Sequence, residues 1–103
     1  MYKLEFLPIA KKDMDGIIYY VSNDLKNETA AVNISKCFIE GIKHILNFPY
    51  SSSEYKATSK LKNTYRSINI KNFLMFYTIN EQDKMITIVR VLHQKMDINN
   101  ILN

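Results

Sequence analysis

The hydrophobic period changes once along this chain, and the change separates a helix-forming first half from a strand-forming second half. After Pro8, the residues Ala10, Met14, Ile17, Ile18 and Val21 follow one another at spacings of four, three, one and three. Ala31, Ile34, Phe38, Ile42 and Ile45 continue a helical period further on. Both sets put apolar side chains on one helix face. The first helix is expected from Pro8, where proline at the first position costs little, to about Asn23. The second is expected from an Asn27 N-cap to about Asn47, just before Phe48 and Pro49. From Thr64 onward the period shortens. Thr64–Ile70, Asn72–Ile79 and Met85–His93 are rich in β-branched and aromatic residues and predict three strands joined by short turns. Lys3–Leu7 alternates polar and apolar residues and predicts a strand ahead of the helices. Tyr50–Asn63 has no clear period and reads as a loop, and Asp97–Leu102 as one helical turn or a tail.

The expected fold class is therefore α+β. It is a two-layer sandwich with an N-terminal strand, an antiparallel helical hairpin and a three-stranded antiparallel sheet, with helices on one face and the other face partly open as the candidate site. Gly16 and Gly41 both fall inside helices, where they are expected to mark the place at which the hairpin helices touch. The chain has 103 residues, enough for one ordinary domain. Its single cysteine, Cys37, cannot form an internal disulfide, which points to a reducing, cytoplasmic setting. No apolar leader and no run long enough to span a bilayer is visible, so no membrane partner is expected.

Charge narrows the partners. The net charge is +4, and the stretch from Tyr55 to Asn80 contains Lys56, Lys60, Lys62, Arg66 and Lys71 with no acidic residue. A local positive field of this kind attracts phosphates or an acidic protein segment. Metal and cofactor sites are not expected. Cys37 and His44 are seven apart on one helix face, but two ligands alone do not make a zinc site. Asp13 and Asp15 point apart on the first helix and read as solvated carboxylates rather than a catalytic pair. The two glycines form no phosphate-cradling loop.

The order of elements and several local motifs resemble the RelE/ParE toxin family. The motifs are Pro8 opening the first helix, Ile18-Tyr19-Tyr20-Val21 within it, the Phe48-Pro49 stop, Tyr65-Arg66-Ser67, Phe73-Leu74-Met75-Phe76-Tyr77, and the ending Ile88-Val89-Arg90-Val91-Leu92-His93-Gln94-Lys95-Met96-Asp97. Leu7 stands where the family commonly has a capping serine or threonine. The resemblance implies the toxin of a type II toxin–antitoxin system, which arrests bacterial growth until a cognate antitoxin with an acidic or disordered segment binds it in a hetero-oligomer. It also implies one of two targets, DNA gyrase for ParE-like members or mRNA on the ribosome for RelE-like members.

The residues leave three readings open. Arg66 aligns with the arginine that RelE-like enzymes use on phosphate, and an imidazole at His93 could exchange a proton, so this pair is the candidate catalytic set if the chain is an endoribonuclease. Lys56, Lys60, Lys62, Arg66, Lys71 and Lys95 are the candidate target or nucleic-acid contacts. Arg90 is three residues from His93 and should face the opposite side of the sheet unless a bulge intervenes. Many RelE-like enzymes carry a tyrosine beyond the last strand, yet no tyrosine follows Tyr77 here. That absence and the ParE-type ending favour a ParE-like gyrase inhibitor. A RelE-like nuclease and an inactive homologue serving as a binding module are the alternatives. Tyr65 and Tyr77 could stack bases, although strand aromatics more often pack in a core.

Overall fold

A computed structural model describes residues 1–55 and 64–102. Strand β1 (Lys3–Phe6) leads into helix α1 (Pro8–Tyr19), which runs on through a π-helical turn, Tyr20–Asp24. Helix α2 (Glu28–Asn47) follows, then β2 (Arg66–Ile70), β3 (Phe73–Asn80), β4 (Met85–His93) and a short helix α3 (Ile98–Leu102). The helix starts follow the sequence signals. Pro8 occupies the first turn of α1 behind Leu7, which makes no side-chain cap, and Asn27 caps α2 by accepting the Ala30 N–H at 3.0 Å.

The sheet has the order β1-β4-β3-β2. The three C-terminal strands are antiparallel neighbours, while β1 joins the edge parallel to β4, from Lys3 opposite Met85 to Phe6 opposite Ile88. The sheet is thus four-stranded rather than three-stranded. The first strand is carried back beside the last by the helical hairpin, the long crossover that parallel pairing needs. Helices α1 and α2 cover one face, where Ala10, Ala31, Phe38, Ile45, Met75, Tyr77, Ile86, Ile88 and Val91 form the main core.

The other face is less open than the sequence suggests. Tyr65, Phe76, Val89, Leu92, Ile98 and Leu102 form a second buried cluster there, so α3 closes much of the face expected to be partly open. A bulge in β4 divides the strand's side chains between the two clusters. Phe76 pairs with Arg90 but Tyr77 pairs with Ile88, which leaves Val89 as the extra residue. Ile86, Ile88 and Val91 therefore face the helices while Val89 and Leu92 face α3.

The glycines do not mark a helix–helix contact. A Cβ on Gly41 would sit 2.7 Å from Ile70 Cδ1 and 3.1 Å from Ile68 Cδ1, so Gly41 lets α2 approach β2, whereas a Cβ on Gly16 would meet nothing within 4 Å. Gly16→Ala is expected to raise stability by about 0.5–1 kcal/mol through helix propensity alone. Gly41→Ala should instead cost about 1–2 kcal/mol by overpacking. Chemical denaturation of both variants checks the pair, and equal effects at the two positions would contradict this packing.

Candidate functional site

Among the described residues, the sequence-derived site residues Arg66, Lys71, His93 and Lys95 fall at two ends of the sheet. Arg66 opens β2 opposite Tyr77, and His93 ends β4 opposite Phe73. Along β3 these partners are four residues apart, roughly 13 Å, and two strand spacings add about 10 Å across the sheet. Arg66 and His93 therefore do not share a site. Both face the helix layer, since Tyr77 and Phe73 pack in or against the main core. Arg90 pairs with Phe76 of the second cluster, and the bulge precedes it, so Arg90 and His93 do face opposite sides.

At the first end, Arg66 lies under the loop that follows α2. Its Nη1 donates to the Ser52 carbonyl, and its guanidinium carbon is 4.9 Å from the centroid of the Tyr50 ring. Tyr77 anchors the same loop from below, its hydroxyl donating to the Pro49 carbonyl at 2.7 Å and bonding Ser52 Oγ. Tyr77 is fully buried and Tyr65 is buried in the other cluster, so neither offers a free face for base stacking. Lys56, Lys60 and Lys62 lie outside the described residues.

Beyond Arg66 is a polar cluster that the sequence reading missed. Glu81, in the β3–β4 turn, accepts from the Tyr2 hydroxyl at 2.8 and 2.9 Å, from the Tyr50 hydroxyl and from Lys84. Lys84, then Tyr50 and Tyr2, hold the Glu81 carboxyl down at about 2 by donating hydrogen bonds to its charged form. Tyr50 is pushed up to about 12, chiefly by its hydrogen bond to Glu81. The two shifts fix the signs of the pH dependence. Glu81's contribution is full above its ordinary 4.5 and is lost as pH falls through about 2. Tyr50's is full below its ordinary 10 and is lost as pH rises through about 12. Alkaline titration by phenolate absorbance should show a late-ionising tyrosine that returns toward the ordinary range in Glu81→Gln. Identical curves for the two proteins would contradict the contact.

At the second end, His93 packs edge-on against Phe73, with ring centroids 5.5 Å apart, and its Nδ1 accepts the Lys95 N–H at 3.1 Å. In the neutral ring that leaves the proton on Nε2. Gln94 ties this end to the β2–β3 turn, donating to the carbonyls of Asn72 at 3.0 Å and Lys71 at 3.3 Å. Exposed Lys71 and Lys95 are thereby brought to the same end of the sheet. Between this end and α1 is a groove of about 620 Å³ lined by Ile17, Tyr20, Leu25, Phe73, His93 and Met96, with Lys12 also on its wall. Tyr20, Leu25 and Met96 are each about half exposed on its lip.

Asp13 has a defined partner rather than a solvating role. It receives Arg90 Nε at 2.8 Å and Nη2 at 3.0 Å, and also the Val91 N–H at 3.0 Å, an N–H on the part of β4 that lies past its pairing with β1. This fork keeps the Arg90 guanidinium above its ordinary pKa. His44 Nε2 bonds Ser51 Oγ at 3.0 Å, and among the described residues no group of three or more His, Cys, Asp or Glu side chains could hold a metal. No helix among the described residues is long and apolar enough to cross a membrane.

A four-stranded sheet with one parallel edge, a helical hairpin on one face and a C-terminal helix on the other is the fold of the RelE/ParE toxins. Among solved structures, this chain is similar to the chromosomal ParDE toxin–antitoxin system from P. aeruginosa, with a TM-score of 0.68 and 19% identity over 90% of this chain and 96% of that one. It is similar to a metal-bound toxin from Helicobacter pylori (TM-score 0.64, 15% identity, 91% and 96% covered). It is also similar to the intact E. coli RelBE complex (TM-score 0.56, 14% identity, 93% and 100% covered). No curated protein sequence matches it. The family model described as ParE toxin of type II toxin-antitoxin system, parDE, matches residues 4–98. The chain belongs to the ParE toxin family.

Proposed function

We propose that this type II toxin arrests bacterial growth by binding and inhibiting DNA gyrase, and that a cognate antitoxin silences it. The observation that carries this reading is the separation of Arg66 from His93. Cleavage by a 2′-hydroxyl needs a base, an acid and phosphate-neutralising cations around one reacting group. Here the two candidates stand at opposite ends of the sheet, Arg66 under the Tyr50–Ser52 loop and His93 against Phe73. Inhibition by binding has no such requirement; it needs a rigid surface with charge. Arg66 supplies that charge at one end of the sheet and Lys71 with Lys95 at the other, while Lys56, Lys60 and Lys62 precede Arg66 in the sequence.

The antitoxin reading rests on the family and on the groove beside α1. Its half-exposed Tyr20, Leu25 and Met96 suit an apolar segment, and Lys12 and Lys95 suit acidic residues flanking it. An antitoxin present at 100 times its Kd should stabilise the toxin by about 2.7 kcal/mol.

The deciding assay is purified bacterial gyrase with relaxed plasmid. The toxin should block supercoiling or trap cleaved DNA, and added antitoxin should reverse the effect. Unimpaired gyrase beside codon-linked mRNA cuts on ribosomes would establish the nuclease reading instead. Indifference in both assays would leave a binding module.

A further inference from the structure

Tyr50 is 54% exposed, so little packing holds its ring where it lies over Arg66. What fixes it is the hydroxyl, which donates to Glu81, 31 residues away in the β3–β4 turn. Glu81 is itself held by Tyr2 and Lys84, so one carboxylate gathers donors from the N-terminal segment, the loop after α2 and its own turn. On the other side of the guanidinium, Nη1 is engaged by the Ser52 carbonyl, whose hydroxyl meets the buried Tyr77. Arg66 is thus clamped on two sides. Its Nε and Nη2 edge takes no partner among the described residues. A planar fork held in this way, with one edge open, is pre-organised for a carboxylate. Glu54 stands opposite Arg66 in an isolated antiparallel bridge, so Glu54 and Glu81 balance Lys84 and Arg66, and it is the fork's geometry rather than net charge that suits a carboxylate ligand.

We propose that Glu81 is a positioning residue that acts through Tyr50, holding the phenol ring over Arg66 so that the open edge of the guanidinium is fixed for an acidic side chain of the protein target. The target side of this inference rests on the gyrase reading above, while the clamp on Arg66 stands independently of it. The chain's two arginines make the clamp measurable, because Arg90, held by Asp13, serves as an internal reference.

The test has two arms. In the first, modification by p-hydroxyphenylglyoxal is followed by peptide mass spectrometry. Glu81→Gln and Tyr50→Phe should each raise the rate at Arg66 by about five- to tenfold, the effect of one lost hydrogen bond at an exposed site, and leave Arg90 unchanged. In the second, gyrase inhibition is titrated for Glu81→Gln, Arg66→Ala and the double variant. Glu81→Gln should weaken inhibition by about tenfold, and the double variant should be no weaker than Arg66→Ala alone, since Glu81 acts only through Arg66. An unchanged Arg66 rate in both single variants overturns the clamp, and additive losses in the second arm overturn the positioning role. If the unaltered toxin leaves gyrase untouched, the target reading fails while the first arm still decides whether Glu81 holds Arg66.

Discussion

Alanine at Asp13 is expected to destabilise the protein by about 3 kcal/mol, which at this chain length is roughly 15 °C in Tm. Asp13 and Arg90 have side chains only 14% and 21% exposed, so removing the carboxylate strands a guanidinium and a backbone N–H that water reaches poorly. The loss should extend beyond one ion pair. Asp13 joins α1 to β4 just past the bulge at Val89 and fills the place of a ladder partner for Val91. Pairing Asp13→Leu with Arg90→Met should cost less than either single change, because no charge is then left alone and only the Val91 N–H loses its acceptor. Thermal unfolding of Asp13→Ala, Asp13→Leu, Arg90→Met and the double variant measures this directly. A Tm within 2 or 3 °C of the parent for Asp13→Ala, under about 1 kcal/mol, would show that the contact contributes little.

The second large effect is expected at Phe76, fully buried on the face away from the helical hairpin. Phe76→Ala should lose about 3–5 kcal/mol. Tyr65, Leu92, Ile98 and Leu102 pack around this ring, and Tyr55 meets it edge-on with centroids 5.1 Å apart. The variant should therefore also release α3 and raise amide exchange in Ile98–Leu102. Urea denaturation gives the energy and hydrogen exchange the location. A loss below about 1 kcal/mol would mean that this face is a loosely covered surface rather than a second core.

Much of this architecture is legible in the sequence because the features that specify it are local. The change of period at Thr64, the proline at the start of α1, the Asn27 cap and the Met85–His93 run each act within a few residues, and the elements follow those signals, with β2 starting two residues late at Arg66 and the end of the first helix passing through a π-turn. What was not legible depends on pairing. The parallel seat of β1 beside β4 is decided by the packing of the whole hairpin, and no residue in Lys3–Phe6 encodes it. The bulge at Val89 is visible only in register, although the neighbours Val89 and Val91, which face opposite sides despite their even spacing, are its trace. Asp13 gave no sign of its partner because Arg90 is 77 residues away, and the Glu81 cluster joins segments as far apart as Tyr2 and Glu81. Of the candidate site, the sequence identified cationic residues by type, whereas their division between two ends of the sheet follows from strand order. Short turns already place β3 between the strands of Arg66 and His93, and the register that sets Arg66 opposite Tyr77 and His93 opposite Phe73 fixes how far apart the two stand.

The gyrase reading is tested most directly by inducing the chain in bacteria beside its Arg66→Ala and His93→Ala variants and mapping gyrase-dependent DNA breaks and mRNA 5′ ends in the same cultures. Breaks with intact messages, weakened by Arg66→Ala and little changed by His93→Ala, are the predicted result. New codon-linked 5′ ends that disappear in both variants, with DNA unbroken, would contradict it.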